Sequence, residues 1–418
     1  MPSIANTIGT NMKNYKIIRK NQFAYGPVTS RNGDKISIAL LEEHNEAIVS
    51  QAYTVFEVVD DDKLLPEYLM MWFRRPEFDR YARFKSHGSA RETFDWDELC
   101  EVTLPIPSIE KQQQIVAEYN TVTYRIELNE KINTNLEATA QALYKHWFVD
   151  FEFPIDLCQS ELVEDPNCHL EHVTSSTSPR AQSRGEKREV SLETLNKIDF
   201  TKGYKSSGGK MVYNEELDKE IPEGWSVERL EDAVKIIRGA SPRPIADYIS
   251  NKGAPWVKIS DATACSNQFL YKTKQFIKEI GVSKSRVVLP ETLILSNSAS
   301  PGLPRIMKIK ACVHDGWLIF NDYKNITREY LLQFLIANKR DILSNSNGSV
   351  FKNLKTEILK EFPIIISNKN ILNLYTTNQK IIDDKLERIS TELLSLKELQ
   401  SLLLAKMTQV TKTVDINI

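Results

Sequence analysis

Two long stretches of the chain place mostly apolar residues at alternating steps of four and three. The positions in the first stretch are Ile115, Tyr119, Val122, Ile126, Asn129, Asn133, Leu136, Ala140, Leu143 and Trp147. Those in the second are Ile382, Leu386, Ile389, Leu393, Leu396, Gln400, Leu403, Met407 and Val410. Steps that average about 3.5 residues are typical of a coiled-coil seam. Neither stretch contains glycine or proline, so the pattern predicts long helices over residues 108–150 and 367–412.

Three of these seam positions are polar: Asn129, Asn133 and Gln400. Polar residues inside a coiled-coil seam fix its register and its partner at some cost in stability. The pattern therefore favours a coiled coil. Two ordinary amphipathic helices, each packed on a globular core, are the alternative.

Upstream of each helix, β-branched and aromatic residues gather in short runs. The runs cover residues 35–40, 47–58, 255–260 and 286–295. Such residues favour strands, and turn-forming strings such as Arg31-Asn32-Gly33-Asp34 lie among them. Each half of the chain is therefore predicted to be a mixed α/β (α+β) globule followed by one long helix.

Three short strings recur in the same order in both halves. Glu67-Tyr68-Leu69 matches Glu329-Tyr330-Leu331, Gly88-Ser89 matches Gly348-Ser349, and Pro105-Ile106 matches Pro363-Ile364. Their separations are alike, as expected for one large duplicated module and not for a short solenoid repeat. The sequence therefore predicts two similar halves.

A polar stretch separates the two halves. Residues 174–185 are rich in Ser, Thr and Arg and show no periodicity, which indicates a linker or a disordered insertion. The predicted segments are a first globule at 1–107, a helix at 108–150, a partly disordered linker at 151–213, a second globule at 214–366 and a helix at 367–412.

Composition narrows the class of protein. The chain has 418 residues, of which 41% are apolar and 26% charged, as is ordinary for a globular protein of two or three domains. No apolar run approaches the roughly 20 residues that span a bilayer, and the five scattered cysteines fit no disulfide or zinc pattern. We therefore expect a cytoplasmic protein that does not use a membrane. The net charge of −2 does not exclude nucleic acid, because DNA affinity depends on basic residues gathered on one face.

The sequence lacks the common motifs of catalysis. It holds no G-x-x-x-x-G-K-[ST] phosphate loop and no G-x-G-x-x-G after a strand, so binding of ATP or a dinucleotide has no support. Cys158, Cys168, His169 and His172 fit no zinc spacing and fall in the linker. Asp95-Trp96-Asp97-Glu98 is interpreted as the start of a short helix, with its acids at the N-terminal end, and not as a nuclease site.

Recognition is the chemistry that remains. Arg, Asn and Ser side chains can hydrogen-bond to base edges, and Lys and Arg neutralise phosphates. The candidate DNA-binding residues in the first half are Tyr25, Thr29, Ser30, Arg31, Asn32, Lys35 and Arg91. Those in the second half are Arg238, Ser241, Arg243, Tyr248, Lys258, Ser296, Asn297, Ser298 and Arg305. A generic solvated surface is the alternative.

Several strings resemble the specificity subunits of type I restriction–modification systems. Residues 22–40, Gly88-Ser89-Ala90-Arg91, Leu104-Pro105-Ile106-Pro107 and residues 112–116 are similar to the later part of a target-recognition domain and the start of its spacer helix. Ile221-Pro222-Glu223-Gly224-Trp225, Arg229-Leu230 and Ile237-Arg238-Gly239 are similar to the start of a second such domain. The resemblance covers nearly the whole chain outside residues 155–200.

This resemblance implies a non-catalytic reader of double-stranded DNA. Each recognition domain would bind one half of a bipartite target in the major groove, and the two spacer helices would pack antiparallel and set the gap between the half-sites. The helices would also dock methyltransferase subunits, expected to be two, and restriction subunits. Those partners would bind S-adenosylmethionine, ATP and Mg²⁺, and this chain would bind no cofactor.

The first half departs from the family pattern. In the second half, Gly224-Trp225 lies well upstream of the strand run at 286–295, whereas the matching run near residues 15–24 lies close to Met1. We therefore expect the first recognition domain to be incomplete. Two alternatives stay open: a scaffold that assembles methyltransferase subunits through the coiled coil without reading DNA, and a self-contained nuclease, which no motif supports.

Overall fold

The computed structural model describes residues 12–29, 35–88, 92–155, 201–344 and 353–407. The chain divides into two compact units: unit 1 is Met1–Lys131 with Thr391–Ile418, and unit 2 is Ile132–Ser390. Each unit combines strands with helices, and each includes part of two long helices. The predicted fold class, two mixed α/β domains with a pair of long helices, is confirmed. Residues 156–200, with the four Cys and His residues considered above for zinc, lie outside the described residues.

Unit 1 begins with short strands that precede its helices. The strands described are β1 (Lys16–Arg19), β2 (Gln22–Gly26), β3 (Ser37–Leu40), β4 (Glu46–Val49) and β5 (Thr54–Glu57). The helices are α1 (Pro66–Phe73), α2 (Pro76–Lys85), α3 (Trp96–Cys100) and the first part of α4 (Ile109–Phe148). β1 pairs antiparallel with β4, and β2 lies between β3 and β5 in an antiparallel sheet.

Local sequence explains where these helices begin. Pro66 and Pro76 stand in the first turn of α1 and α2, where a missing backbone N–H costs nothing. At α3 the Glu98 carboxylate accepts the backbone N–H of Asp95 at 3.0 Å, as in a capping box. The short helix predicted at Asp95-Trp96-Asp97-Glu98 is thus confirmed.

Unit 2 carries two five-stranded sheets, ordered β10-β13-β11-β17-β14 and β12-β16-β15-β18-β9. Its strands are β6 (Met211–Asn214), β7 (Lys219–Pro222), β8 (Ser226–Arg229), β9 (Lys235–Arg238), β10 (Ile249–Ser250), β11 (Ala254–Val257), β12 (Phe269–Leu270), β13 (Gln275–Ile277), β14 (Arg286–Val288), β15 (Leu293–Ser296), β16 (Pro304–Met307), β17 (Ala311–Val313), β18 (Trp317–Asn321) and β19 (Pro363–Ile366). Its helices are α5 (Leu230–Ala233), α6 (Ile259–Thr263), α7 (Glu279–Val282), α8 (Arg328–Ala337), α9 (Lys339–Ser344), α10 (Thr356–Lys360) and the first part of α11 (Lys369–Lys406).

Part of the predicted linker at 151–213 belongs to the core of unit 2. Phe153 stacks on Tyr204 and on Trp225, with ring centroids 4.7 and 5.0 Å apart. Phe151 meets the same indole edge-on, and most of β6 also falls inside the predicted linker. The prediction of a linker is therefore wrong at both ends of this segment, because buried aromatic side chains anchor them to the fold.

In unit 1 the two long helices run antiparallel. Tyr119 of α4 shares a buried core with Met407 beyond the end of α11. One turn further along α4, Thr123 accepts a hydrogen bond from Gln400 at 2.9 Å. The polar seam residue Gln400 thus finds a partner on the other helix.

Burial along the helices follows the predicted seam and, on α11, extends beyond it. Of the seam residues, those buried are Tyr119, Val122, Ile126, Asn129, Asn133, Ala140, Trp147, Leu386, Leu393 and Met407, and those half-buried are Ile115, Leu136, Leu143, Ile382, Ile389, Leu396, Gln400 and Leu403. Three polar residues of α11 that the pattern did not single out are buried as well: Gln379, Asp383 and Ser390. This second line faces the globular part of unit 2, where Gln268 donates to Asp383 at 2.9 Å. α11 therefore uses two adjacent faces.

The strands of unit 1 repeat a set of strands in unit 2. β1 and β4 pair antiparallel as β14 and β17 do, and β3-β2-β5 repeats the order β16-β15-β18. Between the first two strands of each set, Asn21 and Glu291 take left-handed φ angles of 67° and 69°. The duplication seen in the sequence is thus a duplication of structure.

Candidate DNA interface

Four of the residues predicted to bind DNA meet at one residue that the sequence did not single out, Asp315. Its carboxylate accepts hydrogen bonds from Ser241 Oγ at 2.6 Å and from Arg243 Nη2 at 3.1 Å. Its backbone carbonyl accepts from Arg238 Nε at 2.8 Å and from Asn297 Nδ2 at 3.3 Å. We call these five residues the Asp315 cluster.

Strand ends bring the cluster together. Arg238 ends β9, Asn297 follows β15, and Asp315 lies just before β18. β18 pairs antiparallel with both β9 and β15, with Leu318 opposite Arg238 and Trp317 opposite Ser296. Antiparallel neighbours place the end of one strand beside the start of the next, so these loops meet at one edge of the sheet.

An open cleft of about 850 Å³ adjoins the cluster. Residues 241–245, Trp256, residues 258–260, His314 and Asp315 line it. Lys258, another residue predicted to bind DNA, is therefore brought to the same place. The cleft combines two cations and the Asp315 carboxylate with hydroxyl and imidazole groups, which suits a polar ligand that carries both negative charge and hydrogen-bonding groups.

The protonation states in the cleft follow from hydrogen bonds and burial. The hydrogen bond from Ser241, opposed by partial burial and assisted by Arg243, lowers the pKa of Asp315, so the carboxylate is charged at neutral pH. Burial lowers the pKa of His314. Its Nδ1 accepts the backbone N–H of Gly316 at 2.8 Å, so the neutral ring carries its proton on Nε2.

Arg243 is an exposed donor of the cluster. Its side chain is 79% exposed although it pairs with Asp315. Exposed ion pairs contribute little to stability, so the guanidinium can leave Asp315 for a phosphate or a base at small cost.

Two other residues of unit 2 that were predicted to bind DNA, Arg305 and Ser296, stabilise loops of the fold. Arg305 donates to the carbonyl oxygen of Ala262, from Nε at 3.1 Å and from Nη2 at 2.8 Å, and burial lowers its pKa. Ser296 is fully buried and accepts the backbone N–H of Leu303 at 2.9 Å. Both side chains are thus engaged within the fold.

In unit 1 the candidate residues are less accessible. Tyr25 is buried and donates to the carbonyl oxygen of Phe94, and burial raises its pKa. Thr29 is also buried, whereas Lys35 is exposed. The remaining candidates lie outside the described residues: Ser30, Arg31, Asn32 and Arg91. No cluster like that at Asp315 is formed by the candidates described in unit 1.

The described residues form neither a metal site nor a membrane-spanning helix. Among the described residues, no group of three or more His, Cys, Asp or Glu side chains is arranged to hold a metal ion. Within the same parts of the chain, no helix has the length and apolarity needed to cross a membrane.

A protein-family model matches most of the chain in two stretches. The model described as the type I restriction modification DNA specificity domain matches residues 2–138 and 222–404. The two matched stretches lie on either side of the predicted linker and cover most of both halves.

Curated relatives and solved structures are similar over most of the chain. The MjaIX specificity subunit of Methanocaldococcus jannaschii is 24% identical over 359 residues, covering 84% of this chain and 70% of the relative. The HindI specificity subunit of Haemophilus influenzae is 24% identical over 413 residues, covering 94% and 86%. The S subunit from M. genitalium matches in structure with a TM-score of 0.51 at 14% identity, covering 99% and 87%. The HsdS subunit from Thermoanaerobacter tengcongensis matches with a TM-score of 0.34 at 16% identity, covering 96% and 84%.

Proposed function

We propose a function for this chain from the premise that it belongs to the type I restriction–modification DNA specificity family and is its non-catalytic, target-recognising subunit. In this proposal, unit 2 reads DNA through the Asp315 cluster. The observation that carries this proposal is the convergence of Arg238, Ser241, Arg243 and Asn297 on one residue beside an open cleft.

The chemistry of the cluster divides between positioning and reading. Arg243 and Lys258 supply positive charge at the rim of the cleft and would neutralise phosphates. Ser241 and the Nε2–H of His314 are neutral groups that can hydrogen-bond to base edges, whereas Asn297 is buried and donates to the Asp315 carbonyl. Asp315 holds Ser241 and Asn297 in a fixed arrangement before DNA binds, which reduces the entropy lost on binding.

The long helices would act in assembly. In our proposal they separate the two recognition domains on a bipartite target and dock methyltransferase subunits, two of them, together with restriction subunits. Those partners would bring S-adenosylmethionine, ATP and Mg²⁺, and the complex would act in the cytoplasm. The antiparallel contact of Tyr119 with the core around Met407 supports a stable helical pair on which partners could dock.

The test is DNA binding by the chain assembled with the methyltransferase subunits of its own system. The target is first found by mapping methylated sites in host DNA with and without this gene. We expect Arg243→Ala to weaken binding to a target duplex by about tenfold, the effect of one lost charge-assisted contact. Arg340→Ala, which removes an exposed arginine of α9 outside the cluster, is the matched control. Equal affinity of both variants would contradict the proposal.

A second candidate function rests on unit 1. Tyr25 and Thr29 are buried there, which favours a scaffold that reads DNA with unit 2 alone, or not at all. Methylation at a single continuous half-site would support reading by unit 2 alone. Assembly with the methyltransferase subunits, but no sequence preference in methylation, would support the pure scaffold.

A further inference from the structure

Some strand edges are open among the described residues of unit 1, whereas the corresponding strand edges in unit 2 are covered by further strands. β17 of unit 2 is fully buried, whereas its counterpart β4 is exposed or half-exposed along its length. The difference in exposure is largest at Ile48, which is 54% exposed, while Cys312 at the corresponding position of unit 2 is 1% exposed. The two residues correspond because they pair with Ile17 of β1 and Val287 of β14, each four residues before the left-handed Asn21 or Glu291.

In unit 2 three added strands cover the corresponding edges, and one of them, β11, lies beside β17. β11 pairs in parallel with β17 and sets Trp256 beside Cys312. β9 pairs with the outer edge of β18, and β12 pairs in parallel with β16. In the described part of unit 1, the corresponding edges of β4, β5 and β3 pair with no strand.

All three strands come from one continuous stretch of unit 2, residues 235–270. A single polypeptide segment can therefore cover all three edges of unit 1 at once. An open strand edge with an exposed apolar residue is a ready template for pairing with another strand. Ile48 supplies such a residue, and the only charged residue of β4, Glu46, is drawn to Arg19 on the neighbouring strand.

We propose that unit 1 binds a segment of a separate polypeptide that supplies the counterparts of β9, β11 and β12, with the central strand parallel to β4. The partner is the amino-terminal part of a recognition domain of the same kind. Because Ile48 is larger than Cys312, the partner residue facing it is smaller than the tryptophan that faces Cys312, since an overfilled contact costs stability. None of these edges belongs to the Asp315 cluster, so a failure of that cluster to bind DNA would leave this proposal standing.

The test mixes the full chain with a probe polypeptide, residues 222–284 of this same sequence, prepared in two forms. One form keeps Trp256, and the other carries Trp256→Leu. Amide hydrogen exchange is followed in residues 37–40, 46–49 and 54–57, with sedimentation to give stoichiometry. We expect one probe to bind per chain, exchange at all three edges to slow, and the leucine form to bind more tightly.

Two variants of the full chain provide the contrast. Ile48→Lys replaces a residue that already faces solvent, so the chain should fold, but it should bind the probe about tenfold more weakly. Phe84→Lys changes a residue of α2 that is 84% exposed and should bind as the original does. Absence of slowed exchange with both probe forms would overturn the proposal. So would edges that exchange slowly without any probe, which would show that residues of this chain, or a second copy detected by sedimentation, already cover them.

Discussion

Tyr68 donates its phenolic hydroxyl to the backbone carbonyl of Pro105 at 3.0 Å. In unit 2, Tyr330 does the same to Ile365 at 2.8 Å. Both tyrosines are fully buried, and both belong to the Glu-Tyr-Leu string that marks the duplication. Each therefore ties the first helix after the strands to the segment that leads into a long helix.

Loss of this bond should destabilise the unit that contains it. Tyr330→Phe leaves the buried carbonyl of Ile365 without its donor, and we expect a loss of about 1–3 kcal/mol in the free energy of unfolding. Tyr375→Phe is the matched control, because the Tyr375 hydroxyl is equally buried but has no hydrogen-bond partner among the described residues. Urea denaturation measures both. If the control variant is destabilised as much as Tyr330→Phe, the lost packing contacts of the hydroxyl group and not the hydrogen bond explain the effect.

Replacement of Asn133 by leucine should raise the free energy of unfolding, whereas Tyr330→Phe should lower it. Its side-chain amide is buried in α4 and lacks a hydrogen-bond partner within the described structure. Replacing a buried, unsatisfied amide by an apolar side chain removes its desolvation cost, so Asn133→Leu should raise the free energy of unfolding by about 1–2 kcal/mol. Asn135→Leu, at an exposed position of the same helix, should change it little. A destabilised Asn133→Leu chain would instead point to an ordered water or a partner at this amide.

The fold was largely open to prediction because its strongest signals are local. The heptad steps, the strand runs and the Asp95 capping box each depend on neighbouring residues, and the helices and the short α3 appear where expected. The α11 face of Gln379, Asp383 and Ser390 was missed because its polar residues are buried only through contacts with a distant segment, such as that of Asp383 with Gln268.

In the candidate site, too, the local sequence predicts the residue types, and only the fold determines where they meet. Arginine, serine and asparagine in loops could be selected by chemistry, but their meeting point could not, because Asp315 is one acid among 56 Asp and Glu residues. The ends of the predicted linker were misjudged since Phe151, Phe153 and Tyr204 show no periodicity, and only the fold brings their rings together. The string His314-Asp315-Gly316, which favours a turn between two strand-like runs, was the one signal that could have drawn attention to Asp315.

Asp383 should make stability depend on pH. Burial raises its pKa to about 6, with opposition from the hydrogen bonds of Gln379 and Gln268, and a further rise from Glu329 that Arg328 opposes. A carboxyl whose folded pKa lies above its unfolded value of about 3.9 favours the folded state at low pH, and this contribution is lost as pH rises from about 4 to about 6.

Asp383→Asn removes this titration. Relative to the original chain, the variant should gain stability between about pH 4 and pH 6 and keep a constant advantage above that range, on the order of 1–3 kcal/mol. Denaturation at several pH values measures the difference between the two chains. Asp384→Asn, at the exposed neighbouring position, controls for the change in net charge. A difference that does not vary with pH would show that Asp383 does not titrate in this range.

Asp315→Asn should separate specific from non-specific binding of DNA. The change removes a negative charge from the cleft, so affinity for random duplexes should rise slightly through stronger attraction of phosphates. It also removes the charge that holds Arg243 at 3.1 Å and weakens the bond from Ser241, so discrimination of the target should fall by about 1–3 kcal/mol, the worth of one base contact. Competition binding at two salt concentrations, with the chain assembled on its methyltransferase subunits, gives both quantities. Asp341→Asn, an equal charge change on α9, should leave the ratio of target to random affinity unchanged. If Asp315→Asn leaves that ratio unchanged too, Asp315 does not organise the reading residues.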